Sequence, residues 1–143
     1  MSAMDRRRCI SSTPTSSARC ARARANHGVR AFFSGSDAAG LYIAVQTVGK
    51  IRRGLENIRR RGDAKQAGRL ENWLEIVVSD YSNRILAFDQ ECAQVWGRLM
   101  SPHPQHPIDK QIAAIALIHD LTVVTRNVED FRGTGVAVMN PFA

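Results

Sequence analysis

Residues 107–127 read PIDKQIAAIALIHDLTVVTRN, and this stretch decides the fold. From Ile108 to His119 the apolar positions run almost all the way round a helix, the pattern of a helix lying in the interior rather than on the surface. Asp120 then stands where a left-handed residue commonly ends a helix, and Asp tolerates that conformation. Leu121 to Thr125 follows as a short apolar, β-branched run, which predicts a strand buried on both faces of a sheet. A second such run, Val136 to Met139, is another strand, with a short helix between the two.

Working towards the N-terminus, Ser101 to Pro107 is a Pro-rich loop. Asp89 is placed to cap a helix that buries Cys92, Val95, Trp96 and Leu99, and Ile85 to Phe88 reads as a short strand before it. Asp63 with Gln66 makes a capping pair for a helix with Ala67, Leu70, Leu74, Val77 and Tyr81 on one stripe. Val48, Ile51, Leu55 and Ile58 recur at helical spacing, with Arg52, Arg53, Arg59 and Arg60 outside. Leu41 to Val45 is another buried strand, and Asn26 caps a short helix with Val29, Phe32 and Phe33 on one face. Strands alternating with helices are the grammar of an α/β domain with a parallel sheet.

The chain has 143 residues, enough for one domain with a real core. Its longest apolar run is Ile112 to Ile118, too short to span a membrane. Cys9, Cys20 and Cys92 build neither a disulfide framework nor a Cys-x-x-Cys knuckle, which fits a reducing, cytoplasmic setting. The formal net charge of +7 is concentrated: residues 1–30 hold seven arginines against Asp5 alone, while the remainder balances to +1. Residues 1–25 therefore read as a basic arm and residues 26–143 as the folded domain. Such an arm has the footprint of nucleic-acid contact, the character of a solvated disordered tail, and the Arg- and Ser-rich composition of a transit peptide.

In parallel α/β sheets, ligands gather at the carboxyl ends of the strands. That rule brings together Asp109, in the first turn of the buried helix, and Thr125, Asn127 and Asp130, which follow a strand end. Carboxylates collected there from distant segments suit a hard divalent cation such as magnesium, which activates water and stabilises the leaving oxygen of a phosphodiester. The plainer reading is that Asp109 favours its helix N-terminus and Asp130 is a turn residue. His103-x-x-His106 stands in the Pro-rich loop without partner ligands and is set aside as a metal pair. Arg61-Gly62-Asp63 reads as a loop with a helix cap, and Trp73 and Trp96 as core or dimer contacts.

The order Gly49-Lys50-Ile51-Arg52-Arg53-Gly54, Pro107-Ile108-Asp109 with Ile112-Ala113-Ala114, Leu121 to Asn127 with Asp130-Phe131, and finally Asn140-Pro141-Phe142, resembles PIN-domain toxins of the VapC/FitB kind, the plasmid stability proteins. The resemblance covers roughly Asn26 to Ala143. It implies a three-layer PIN-like domain and a magnesium- or manganese-dependent endoribonuclease acting on RNA. It further implies a homodimer paired with a small DNA-binding antitoxin. On this reading Asp109 and Asp130 hold the metal, and Thr125 and Asn127 orient water or phosphate.

Two departures qualify what the resemblance implies. The family's Glu in the helix after the second strand is matched by Lys50, and the family's first strand, ending hydrophobic-Asp-Thr-Asn, has no counterpart in this frame. Four acids become two with an ammonium beside them. A lysine about 5 Å from a divalent ion opposes its binding by several kcal/mol at an effective dielectric near 20. The first strand is therefore expected to be lost or disordered, metal affinity to be weakened, and a fold that only dimerises and binds an antitoxin becomes the alternative to an active nuclease. From about Arg8 to Ala21 a shifted reading frame accommodates hydrophobic-Asp-Thr-Asn followed by two apolar residues, so the arm is hypothesised to be the right nucleotides in the wrong frame. The nucleotide sequence tests this: codons for Asp-Thr-Asn are expected across Ser12 to Thr15 in the shifted frame, and other codons there sink the idea.

Overall fold

The computed structural model describes residues 8–11 and 41–140. Five short strands form one wholly parallel sheet: β1 (Cys9–Ser11), β2 (Leu41–Ala44), β3 (Ile85–Leu86), β4 (Thr122–Val124) and β5 (Val138–Met139), in the order β3-β2-β1-β4-β5. Among the described residues four helices flank it: α1 (Val45–Arg60), α2 (Ala64–Asp80), α3 (Gln90–Met100) and α4 (Pro107–His119). A 3-10 turn, Val128–Phe131, follows β4.

The first strand, expected to be lost or disordered, is present and central. Cys9, Ile10 and Ser11 pair with Leu41, Tyr42 and Ile43 on one side and with Thr122, Val123 and Val124 on the other. All three are fully buried. The domain therefore begins earlier than residue 26, and the segment assigned to the basic arm contains the middle of the sheet. Three residues between arginines and serines show no periodicity, and pairing on both edges supplies what propensity does not. The helix expected from Asn26, the rest of the arm and Pro141-Phe142 lie outside the described residues.

The register sorts side chains to the two faces. Ile10, Val123 and partly buried Tyr42 lie on the face covered by α4, packed against Ile112, Ala113 and Ile115, with Phe131 closing the cluster. Cys9, Leu41 and Val124 lie on the other face, where Tyr81 from the end of α2 covers them. The prediction of an interior helix holds: Ile112 to Ala116 are completely buried. Helix α3 packs beside α4, and the Trp96 indole N–H donates to the Pro107 carbonyl at 3.0 Å while its ring meets Phe88 edge-on.

Asp63 and Asp89 cap the helices that their sequence positions predict. Asp63 accepts from the Gln66 N–H at 3.1 Å and Asp89 from the Cys92 N–H at 3.0 Å. Asp120 ends α4 in the left-handed region at φ 56°. Gly62, at φ 96°, reverses the chain between α1 and α2, so Arg61-Gly62-Asp63 is a turn followed by a cap. The two helices bury Ile51, Leu55 and Leu74 between them. On the outside Glu71 accepts from Arg52 and Arg59, which also bind Glu56.

This central placement makes Ile10→Ala informative. Loss of a fully buried branched side chain from the middle strand is expected to lower unfolding free energy by about 2–5 kcal/mol, read from urea denaturation. A change near zero would mean the segment is not part of the sheet.

Candidate metal centre at the carboxyl edge of the sheet

The sheet order places a crevice where connections leave β1 and β4 in opposite directions, beyond the carboxyl ends of the strands. Three elements send polar side chains there. Helix α1 starts directly from β2, so its second turn carries Lys50 above the strand ends. Helix α4 starts at Pro107 and holds Asp109 in its first turn, where the helix dipole favours a carboxylate. The 3-10 turn after β4 carries Asp130, whose N–H donates to the Asn127 carbonyl.

These groups converge. Lys50 Nζ lies 3.6 Å from Asp109 Oδ1, with both side chains partly buried. His106 Nε2 lies 3.6 Å from Asp130 Oδ1. One donor atom from each of His106, Asp109 and Asp130 falls within 4.8 Å of the others. Burial pushes the Asp109 carboxyl above its ordinary range, and the neighbouring Asp130 charge adds to this against the opposing effects of Lys50 and His106. Two carboxylates and an imidazole facing one point are a donor set for a divalent cation.

The sequence placed Asp109 and Asp130 together, and they meet; Lys50 intrudes on them as its position after β2 predicts. His106, set aside as a loop residue, belongs to the cluster. Its signal was its place three residues before Asp109 across the start of α4, a separation that puts both on one side of the first turn. Its partner in the HxxH pair, His103, contributes a backbone carbonyl instead, which accepts from Lys110 Nζ. Thr125 is fully buried, and its Oγ1 accepts from the Asn127 N–H at 2.9 Å. It therefore shapes the turn that carries Asn127, which is exposed, and Asp130. Thr47 in α1 donates to the Ser11 carbonyl at 3.0 Å, fastening α1 to the end of β1. Ser11 and the residues that follow it, Ser12 and Thr13, offer no carboxylate.

The chain is 31% identical over 109 residues to plasmid stability protein StbB of Pseudomonas syringae pv. tomato, covering 71% of this chain and 76% of that protein. It is 32% identical over 108 residues to toxin FitB of Neisseria gonorrhoeae, with the same coverage. The chain belongs to the FitB/StbB family of PIN-domain toxins. The fold agrees: FitAcB from Neisseria gonorrhoeae superposes with a TM-score of 0.81 at 27% identity, over 94% of this chain and 98% of that one. The FitB-type fold extends to VapBC from Salmonella typhimurium, with a TM-score of 0.70 at 20% identity over 94% of this chain and 98% of that chain. No family model matches the sequence.

The raised carboxyl of Asp109 has a consequence for stability. An acid whose folded-state affinity for a proton exceeds its unfolded one loses stability as pH rises through that range and stays less stable above it. Asp109→Asn is therefore expected to raise the melting temperature at pH 7 in a chelator. The gain should vanish in acid, where the native carboxyl is itself protonated. A variant less stable than the parent at pH 7 would show that the Lys50 pairing outweighs the cost of burial.

Proposed function

We propose that this chain is the toxin component of a toxin–antitoxin pair, a divalent-cation-dependent endoribonuclease whose activity is held low by Lys50. The observation that carries the reading is the meeting of Asp109 and Asp130, from separate elements of a FitB-type fold, with the Lys50 ammonium seated against one of them. Asp109 and Asp130 would hold magnesium or manganese. A bound ion supplies Lewis acidity, which acidifies water and offsets charge on a phosphodiester. The chain's own groups do the positioning. Thr125 fixes the turn, Asn127 presents an exposed amide that orients phosphate or water, and the carboxylates set where the cation and the scissile phosphate meet.

The relatives also guide the partner. FitAB has been captured with a DNA fragment and VapBC as a DNA-bound complex, so a small DNA-binding antitoxin is the expected partner, with RNA as substrate, a homodimer as the assembly and the cytoplasm as the compartment. An open, mainly apolar groove of about 630 Å³ between α1 and α2, walled by Val45, Val48, Leu74 and Val78, is suited to a segment of that antitoxin. Leu117 and Ile118, exposed at the end of α4, offer apolar area for the dimer. Among the described residues no helix is long and apolar enough to cross a membrane, and Cys9 and Cys92 are buried thiols outside any disulfide. A second reading, an inactive fold that only dimerises and captures the antitoxin, draws on the same Lys50–Asp109 pair, which fills the acidic site with a cation from its own chain.

Incubating purified protein with a mixed RNA pool in magnesium or manganese separates the two. Slow cleavage is expected, abolished by chelator and by Asp109→Asn. Lys50→Glu should accelerate it about tenfold or more, since each factor of ten needs only about 1.4 kcal/mol and a charge reversal beside a cation exceeds that. No cleavage by either the parent or Lys50→Glu leaves the binding-only reading.

A further inference from the structure

We propose that His106 is a metal ligand in this chain, and that the site it completes with Asp109 and Asp130 takes first-row transition ions in preference to magnesium. The inference rests on the metal-site reading above and specifies it. Its first support is geometric. Two ligands on one ion with bonds of about 2.1 Å stand about 3.4 Å apart in tetrahedral geometry. His106 Nε2 and Asp130 Oδ1 are 3.6 Å apart, and a donor atom from each of the three residues lies within 4.8 Å of the others. Small rotations about side-chain bonds bring all three onto one ion. The imidazole makes no capping hydrogen bond at the helix start.

The second support is the chemistry of the donor set. Magnesium is a hard ion that binds through oxygen and is held largely by negative charge. Among the described residues that charge is low: two carboxylates stand against one ammonium, with Lys50 Nζ 3.6 Å from Asp109 Oδ1. An imidazole adds no charge, but it contributes a borderline nitrogen donor. The affinity of such a donor rises from manganese through cobalt and nickel and is small for magnesium. Losing carboxylates and gaining Lys50 therefore costs magnesium most, while His106 restores binding selectively for transition ions. A half-exposed His106 at the rim also leaves an ion open positions for water or substrate.

The full-length protein, stripped with a chelator and dialysed, is titrated with cobalt(II), manganese(II) and magnesium by calorimetry, and cobalt(II) is followed by its visible absorption. Cobalt is expected to bind about a hundredfold more tightly than magnesium. His106→Ala should weaken cobalt at least about tenfold and move its absorption bands while leaving magnesium unchanged, because only a nitrogen donor has been removed. Asp109→Asn should weaken both ions. His103→Ala, in the same loop but outside the cluster, should change neither. The metal-free melting temperature of His106→Ala confirms that the variant folds, and His106→Gln serves if it does not. Magnesium bound as tightly as cobalt, or cobalt binding indifferent to His106, overturns the proposal and leaves His106 as an ion-pair partner of Asp130. RNA cleavage is scored separately. Tight, His106-dependent cobalt binding without cleavage supports this site and overturns the ribonuclease reading alone.

Discussion

Everything in this fold hangs on the double pairing of β1. A strand of three residues buries no large area of its own, yet it supplies hydrogen-bond partners to β2 on one side and β4 on the other. Without it the parallel sheet would divide into two pairs, each with unpaired backbone groups facing the interior, and buried polar backbone is costly. Parallel strands cannot be joined by tight turns, so each needs a crossover, and the crossover that leaves β2 and the one that enters β4 bring the starts of α1 and α4 to the same edge. The Thr47 to Ser11 hydrogen bond fastens this arrangement at the point where strand, helix and crevice meet.

The electrostatics of the crevice follow from that convergence. Burial at this partly dry edge raises the proton affinity of Asp109, and the nearby Asp130 charge adds to it. Such a pair needs positive charge. Here part of it comes from the chain, through Lys50, and His106 faces the other carboxylate. The site is thus neither an empty acidic bowl nor a plain helix cap, since both Asp109 and Asp130 serve their local elements and face each other as well.

Much of this was legible in the residues because it was local or periodic. Asp63 and Asp89 announced helix starts through their side-chain chemistry, Asp120 announced a left-handed stop, and Ile108 to His119 announced burial by lacking a polar face. The strand-end rule for parallel sheets was enough to bring Asp109 and Asp130 together across the fold. What escaped depended on distant partners. Cys9-Ile10-Ser11 is a strand only because two other strands flank it, and its serine and arginine neighbours hid it inside an apparently unstructured arm. His106 became part of a site only when a turn more than twenty residues later folded back beside it. Thr125 shows the reverse: its place at a strand end suggested contact with water or phosphate, whereas its oxygen is used by the backbone of its own turn.

Among the described residues the core and the metal-ligand cluster share no side chain. Ile10, Ile112, Val123 and Phe131 carry the packing, whereas Lys50, His106, Asp109 and Asp130 sit at its edge and contribute little to it. Such a protein ages unevenly: substitutions can erode its chemistry while its shape, and the surfaces a partner would recognise, persist.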